Sequence, residues 1–207
     1  MDIMKLNWGE KLAVNNPVRI LQQRLEIDWL KQITDLPTDG SILEIGCGRG
    51  VGAQLIADRF HPAALHIQDL DMEMVGKAVK RLDRPARATG SASKTTFTVS
   101  DAGSLPYRSE SFDAVFGFGV LHHLPDWEKG LREIRRLLKP QGLYYIEELY
   151  PGLYQNIITK HILLHPEENR FQSNDLKKAL DDAGFALIKA FEVKSLGILG
   201  AAALTSA

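Results

Sequence analysis

A single cysteine, Cys47, is all that the 207 residues contain. An internal disulfide framework is therefore impossible, and a reducing, cytoplasmic location is the simplest expectation. Neither charge sign is in excess: 25 Lys and Arg face 26 Asp and Glu, for a formal net charge of -1. The chain thus lacks the broad basic field that nucleic-acid or anionic-membrane binding needs. Long hydrophobic runs are missing too. Residues 196–207, LGILGAAALTSA, are apolar but too short and glycine-broken to span a bilayer, and they read as a final buried strand. Residues 1–11, MDIMKLNWGEK, lack the apolar core of a signal peptide. The six histidines show no ligand spacing such as HExxH, so no metal site is expected. A catalytic triad and internal repeats are likewise absent. What is present is ordinary globular composition, 44% hydrophobic, enough for one domain over residues 1–207.

Periodicity organises the chain. Val18, Leu21, Leu25, Trp29 and Ile33 recur at helical spacing, which predicts a helix over 17–34 with one apolar stripe. Asn16 and Pro17 suit its cap and first turn. A short apolar strand at 42–45 and a helix at 51–60 follow. A strand at 64–67 comes next, then a helix capped by Asp71 with Met74, Ala78 and Leu82 on one face. Residues 83–94, DRPARATGSASK, read as a surface loop. Strands are expected at 95–99, 112–116 and 143–146. Asp126 caps the helix between the last two, which KPQG stops. A helix from Ser173 to Gly184 and two pairing strands, 185–193 and 197–204, complete the pattern. Alternation of strands and helices predicts an α/β fold, a mostly parallel sheet covered on both faces. In such sheets ligands lie beyond the strand C-termini, so chemistry is sought there.

The first such place is ILEIGCGRG, residues 42–50. Glycine costs chain entropy, and Gly46, Gly48 and Gly50 on alternate positions imply a tight turn that something approaches closely. A strand, a glycine-rich turn and a helix N-terminus make a nucleotide-type cradle. A dinucleotide fingerprint would need its third glycine where Val51 stands. Glu44, two residues before the first glycine, suits an ammonium group better than a pyrophosphate. The second strand ends in IQDLD, with Asp69 about twenty residues past the loop, the distance at which a carboxylate meets ribose hydroxyls. A dinucleotide enzyme would use Asp69 in the same way. A third acid, Asp101, stands just after the third strand.

With these residues in place, the sequence resembles the class I S-adenosylmethionine-dependent methyltransferases, in particular their type-11, quinone-methyltransferase-like branch. The likeness is good over residues 42–147 and pattern-level over 176–185. It is poor in residues 1–35 and 150–171. It implies a Rossmann-like seven-stranded sheet whose last strand is antiparallel. It also implies S-adenosylmethionine as cofactor, with S-adenosylhomocysteine as product. The loop Gly46, Cys47, Gly48 and Gly50 would lie along the methionine and ribose parts, organised by Glu44. Cys47 is read as a small packing residue there, not as a nucleophile. Asp69 would bind the ribose, with Leu70 beside it and Met74 near the adenine. Asp101 would accept from the adenine amino group, and the Ala102 N–H would face the ring. FGFGVLHHLPDW, residues 116–127, resembles the family's stretch around the transferred methyl. Phe118 and His123 are expected to contact the cofactor, and His122 is a candidate general base.

A sulfonium is already an activated leaving group, so the protein need mainly orient an in-line displacement. The D/N-P-P-Y sequence of many amino-directed methyltransferases is missing, which weakens DNA-base and amide acceptors. Residues 150–171 include Tyr150, Leu153, Tyr154, Ile157 and Ile158. They read either as an apolar lid or as a packed surface helix, with residues 1–35 as a helical cap. A lid of this kind favours a small, apolar or ring-bearing acceptor, with no nucleic acid and no stable membrane insertion. An NAD-linked oxidoreductase and a non-catalytic S-adenosylmethionine-binding module are the competing readings. Oligomeric state is left open.

Overall fold

The computed structural model describes residues 17–83, 94–154 and 169–205. The greater part of the polar loop expected at 83–94, residues 1–16 of the expected cap and residues 155–168 of the expected lid lie outside the described residues. The elements in chain order are α1 (Pro17–Gln32), β1 (Ser41–Ile45), α2 (Val51–Phe60), β2 (Ala64–Asp69), α3 (Met72–Leu82), β3 (Lys94–Val99) and β4 (Phe112–Phe118). A 3-10 turn at Leu121–His123 precedes α4 (Trp127–Leu137), β5 (Leu138–Leu149), the single turn α5 (Pro151–Tyr154), α6 (Ser173–Asp182), β6 (Phe185–Val193) and β7 (Gly197–Leu204). Among the described residues no helix is long and apolar enough to cross a membrane.

The strands form one seven-stranded sheet in the order β3-β2-β1-β4-β5-β7-β6. The pairs β1–β2, β1–β4, β2–β3 and β4–β5 are parallel, and β7 runs antiparallel to both β5 and β6. This is the Rossmann-like architecture expected above. The strand order reverses at β1, so the crevice beyond β1 and β4 is the switch point where ligands gather.

Burial on both faces explains why the central strands are nearly continuous apolar runs. In β1 the pleat sends Leu43 and Ile45 to one core, together with Leu131 and Ile134 of α4 and Leu176 and Leu180 of α6. Ile42 joins the other core, with Ile27 and Leu30 of α1 and Ala53, Ile56 and Phe60 of α2. Glu44 shares the parity of Ile42, so its carboxylate is delivered beneath α2. On the same face Phe116 and Tyr145 stack with centroids 4.1 Å apart, and Phe60 meets both edge-on. Caps behave as read: Asp71 accepts from the Glu73 N–H at 2.9 Å and Asp126 from the Lys129 N–H at 2.8 Å. Each such cap is worth about 1 kcal/mol.

Two local expectations need correction. The fifth strand begins at once after α4, at Leu138, and not at residue 143. Pairing to β4 jumps from Phe112↔Leu138 to Ala114↔Leu143, and Gln141 takes φ 64. KPQG therefore stops the helix but stays in the sheet as a bulge, where Pro140 needs no ladder donor. The second correction concerns α1. Its buried face is Glu26, Ile27 and Leu30, whereas Val18 is 74% exposed and Leu21 and Leu25 also face solvent. Polar side chains of α1 turn inward because ion-pair partners wait there, as described below.

Candidate active site

The C-terminal ends of β1, β2 and β4 converge on a cavity of about 220 Å³. Its floor is the glycine turn. The Cys47 N–H donates to the Gln68 carbonyl at 2.9 Å, and the Gly50 N–H to the Cys47 carbonyl at 2.9 Å. Gly46, Gly48 and Gly50 all take positive φ, which side chains disfavour. Their surroundings differ. A Cβ on Gly46 would lie 2.6 Å from Val120 Cγ2, whereas one on Gly48 would meet nothing within 4 Å. A Cβ on Gly50 would press Ala78 of α3 at 2.9 Å. Gly48 thus presents bare backbone to the cavity, and Gly50, which is not on the cavity wall, is glycine because two helices meet there.

Acids ring this floor. Glu44 is 2% exposed. It is held by the Ala53 backbone N–H at the start of α2, while its Oε2 has no hydrogen-bond partner. Burial, then repulsion from Asp69, pushes its pKa well above the usual carboxylate range. A Cβ on Gly52 would fall 2.0 Å from Glu44 Oε1, so this fourth glycine makes room for the glutamate. Asp69 accepts from the Gly48 N–H through Oδ2 and from the Asp71 N–H through Oδ1, both at 2.8 Å. Burial raises its pKa against these bonds. Asp101 Oδ1 accepts from the Gly103 N–H at 2.7 Å, which closes the turn that carries Ala102. Leu70, Met74, Ala102, Phe118 and His123 complete the wall on the far side. Cys47 lies on it as well, but burial and the nearby carboxylates push its thiol pKa far above neutrality, which disfavours a nucleophilic thiolate.

The structure does not bring His122 to the cavity. Its ring is buried, with Nδ1 2.7 Å from Glu148 Oε2, and burial pushes its pKa down to about 3. Turned into the core against Glu148, it is not positioned as a general base for a ligand in the cavity. Its neighbour His123 faces the cavity.

Residues matched by the sequence profile described as "Methyltransferase domain" run from 43 to 146, β1 through most of β5. The chain belongs to the type-11 methyltransferase family. The class I methyltransferases to which this family belongs depend on S-adenosylmethionine. A phthiotriol/phenolphthiotriol dimycocerosates methyltransferase of Mycobacterium leprae is 33% identical over 157 residues, which cover 73% of this chain and 55% of that protein. Phosphoethanolamine N-methyltransferase 2 of Caenorhabditis elegans is 33% identical over 113 residues, 55% of this chain and 24% of that protein. The chain thus spans about half the length of the first relative and a quarter of the second. Among solved structures, a candidate methyltransferase of Bacillus halodurans C-125 superposes with a TM-score of 0.71 at 16% identity. The match covers 87% of this chain and 99% of that one, and it speaks for the fold alone.

Within this methyltransferase fold, several wall residues escaped the sequence reading. Gln68, buried at the end of β2, accepts from the Gly46 N–H through Oε1 at 3.3 Å and donates through Nε2 to the Ser100 carbonyl. It ties the glycine turn to the turn after β3. In IQDLD the sequence singles out only the acids, since only the pleat reveals which way Gln68 points. Arg19 and Gln23 of α1 also line the cavity. The sequence hides them because the apolar stripe of α1 points to the opposite face as the buried one.

Proposed function

We propose that this protein transfers the methyl group of S-adenosylmethionine to a small, apolar or ring-bearing acceptor. The observation that carries the proposal is the buried Glu44 Oε2 in the cavity wall, which has no hydrogen-bond partner and lies close enough to Asp69 that repulsion adds to burial in raising the Glu44 pKa. Unpaired buried charge costs several kcal/mol, which a cationic ligand offsets. An ammonium group fits this position, and a pyrophosphate facing two carboxylates does not, which argues against an NAD-linked oxidoreductase. The bare backbone at Gly48 allows the close approach that an extended amino-acid chain needs. The group, when bound, supplies a sulfonium-activated methyl for in-line displacement.

The chain's own residues bind and orient. Glu44 takes the amino end. Asp69 retains lone pairs for ribose hydroxyls beside its two backbone donors. Asp101 and the Ala102 N–H border the adenine, with Leu70 and Met74 on its face. Phe118, Val120 and Leu124 form an apolar rim on the β4 side, which supports the apolar or ring-bearing acceptor. The relatives named above differ in their acceptors, one a dimycocerosate lipid and the other phosphoethanolamine, so family membership leaves the acceptor class to this rim. A protein base need not be essential, because orientation supplies much of the rate in such a displacement.

Calorimetry with S-adenosylmethionine, S-adenosylhomocysteine and NAD tests the cofactor. Binding of the first two and not of NAD is expected; NAD binding alone would overturn the reading. Incubation with methyl-labelled cofactor and a metabolite extract tests catalysis, since a pure binding module releases no S-adenosylhomocysteine. Asp69→Asn is expected to weaken the cofactor by about tenfold or more, because charge-assisted bonds are worth about 1.5–3 kcal/mol. The amide nitrogen accepts no hydrogen bond, so one of the Gly48 and Asp71 N–H groups loses its partner and the glycine turn should loosen. Equal affinity in Asp69→Asn and the parent protein would remove Asp69 from the site.

A further inference from the structure

Two consecutive glutamates, Glu147 and Glu148, stand just before the last residue of strand β5, and the pleat sends them to opposite faces of the sheet. Glu147 turns toward α1. Its Oε2 pairs with Arg19 Nη2, and the same guanidinium gives Nη1 to Glu26 Oε2 at 2.7 Å. Glu148 turns the other way and is 0% exposed. Its Oε1 accepts from the Val120 and Leu121 N–H groups at 3.1 and 2.8 Å. Its Oε2 accepts from the His122 N–H at 3.3 Å and faces His122 Nδ1. The strand backbone adds a third tie, the Gly119 N–H to the Glu147 carbonyl at 2.7 Å.

Neither carboxylate lines the cavity, but Arg19, which Glu147 holds, lines one side, and Val120, which Glu148 holds, lines the other together with Gly119 and His123 of the same turn. Two buried carboxylates at this point are costly, and well-packed apolar residues in their place would commonly be as stable or more so. Burial raises the pKa of Glu147 to about 7 and that of Glu148 to about 8, as that cost requires. Stability therefore does not account for the pair. Geometry does, because adjacent residues on one strand reference both walls to a single rigid element.

We propose that Glu147 and Glu148 are positioning residues that set, from one strand end, the two facing walls between which the amino-acid end of the ligand lies. The proposal rests on the S-adenosylmethionine reading above. One wall is α1, held through Arg19. The other is the turn at 119–123, held by its backbone N–H groups. The ligand's adenosine end lies over β2 and β3 and touches neither wall.

The test uses the whole chain and two ligands, S-adenosylhomocysteine and methylthioadenosine, which lacks the amino-acid end. Glu148→Gln keeps the volume but turns an amide donor toward the His122 N–H. Glu147→Gln keeps the volume but removes the charge opposite Arg19. Each is expected to weaken S-adenosylhomocysteine by about tenfold and to leave methylthioadenosine unchanged. In Glu148→Gln, amide exchange at Val120, Leu121 and His122 should also quicken while denaturant stability is kept. Equal weakening of both ligands would make the glutamates merely structural and overturn the proposal. So would unchanged binding of both. A parent protein that binds neither ligand would instead bring down the cofactor reading, and this proposal with it.

Discussion

Glu44→Gln is expected to weaken S-adenosylmethionine by about 10- to 150-fold and, in the same protein, to raise the stability of the ligand-free fold above neutral pH. The first effect follows from loss of a charge-assisted bond worth about 1.5–3 kcal/mol. The second follows from linkage. Burial and Asp69 hold the Glu44 pKa well above its unfolded value. A group so raised contributes stability that is fully present below its unfolded pKa and is lost as pH rises through its folded pKa. Glutamine has no such titration, so the parent loses stability over that window and the variant does not. Below it, where Glu44 is protonated, the two proteins should converge. A cation seated against Glu44 lowers its pKa again, so cofactor binding should release protons and tighten with rising pH. Calorimetry in two buffers of different ionisation heat, together with denaturant unfolding at several pH values, reads every one of these effects. Parent-like affinity in Glu44→Gln would show that the carboxylate faces no cation.

Gly46→Ala should be far more destabilising than Gly48→Ala, at about 2–5 kcal/mol. Left-handed backbone costs a residue with a Cβ about 1–2 kcal/mol, and Gly46 has φ +66. The new methyl would also stand 2.6 Å from Val120 Cγ2, a buried contact with no flexible end to move aside. Overpacking of this kind adds about 1–3 kcal/mol. Thermal unfolding should fall by roughly 5–15 °C for a domain of this size. Gly48→Ala meets open space at φ +52, so only the backbone cost remains, about 1–2 kcal/mol. Its methyl, however, points where the ligand is proposed to lie, and the loss should appear in cofactor affinity. Adding Val120→Ala to Gly46→Ala should return part of the stability, since it removes the clash and leaves the backbone strain. If the two glycine variants behaved alike, the turn would be a generic tight turn with no ligand-facing side.

The sequence by itself determined the layout. Strand and helix periods are read over four to ten neighbouring residues, and the glycine turn, Asp69 and Asp101 announce themselves by spacing at successive strand ends. Parallel pairing then carries those ends to one edge, so the acid-ringed cavity follows from local signals, whereas the order β3-β2-β1-β4-β5-β7-β6 is set by pairing between distant segments. What only the tertiary structure decided are choices between equivalent local options. His122 and His123 are adjacent and chemically alike, and the sheet edge turns one into the core against Glu148, 26 residues away, and the other to the cavity. The apolar stripe of α1 reads as its buried face, yet Arg19 meets Glu147 from 128 residues away, and that pairing turns Val18, Leu21 and Leu25 outward. Gly50 matches the motif as well as Gly48 does, but α3 takes its space and the cavity takes the other's. In each case the deciding energy is a buried charge or a close contact between segments far apart in the chain, and no window of neighbouring residues contains both partners.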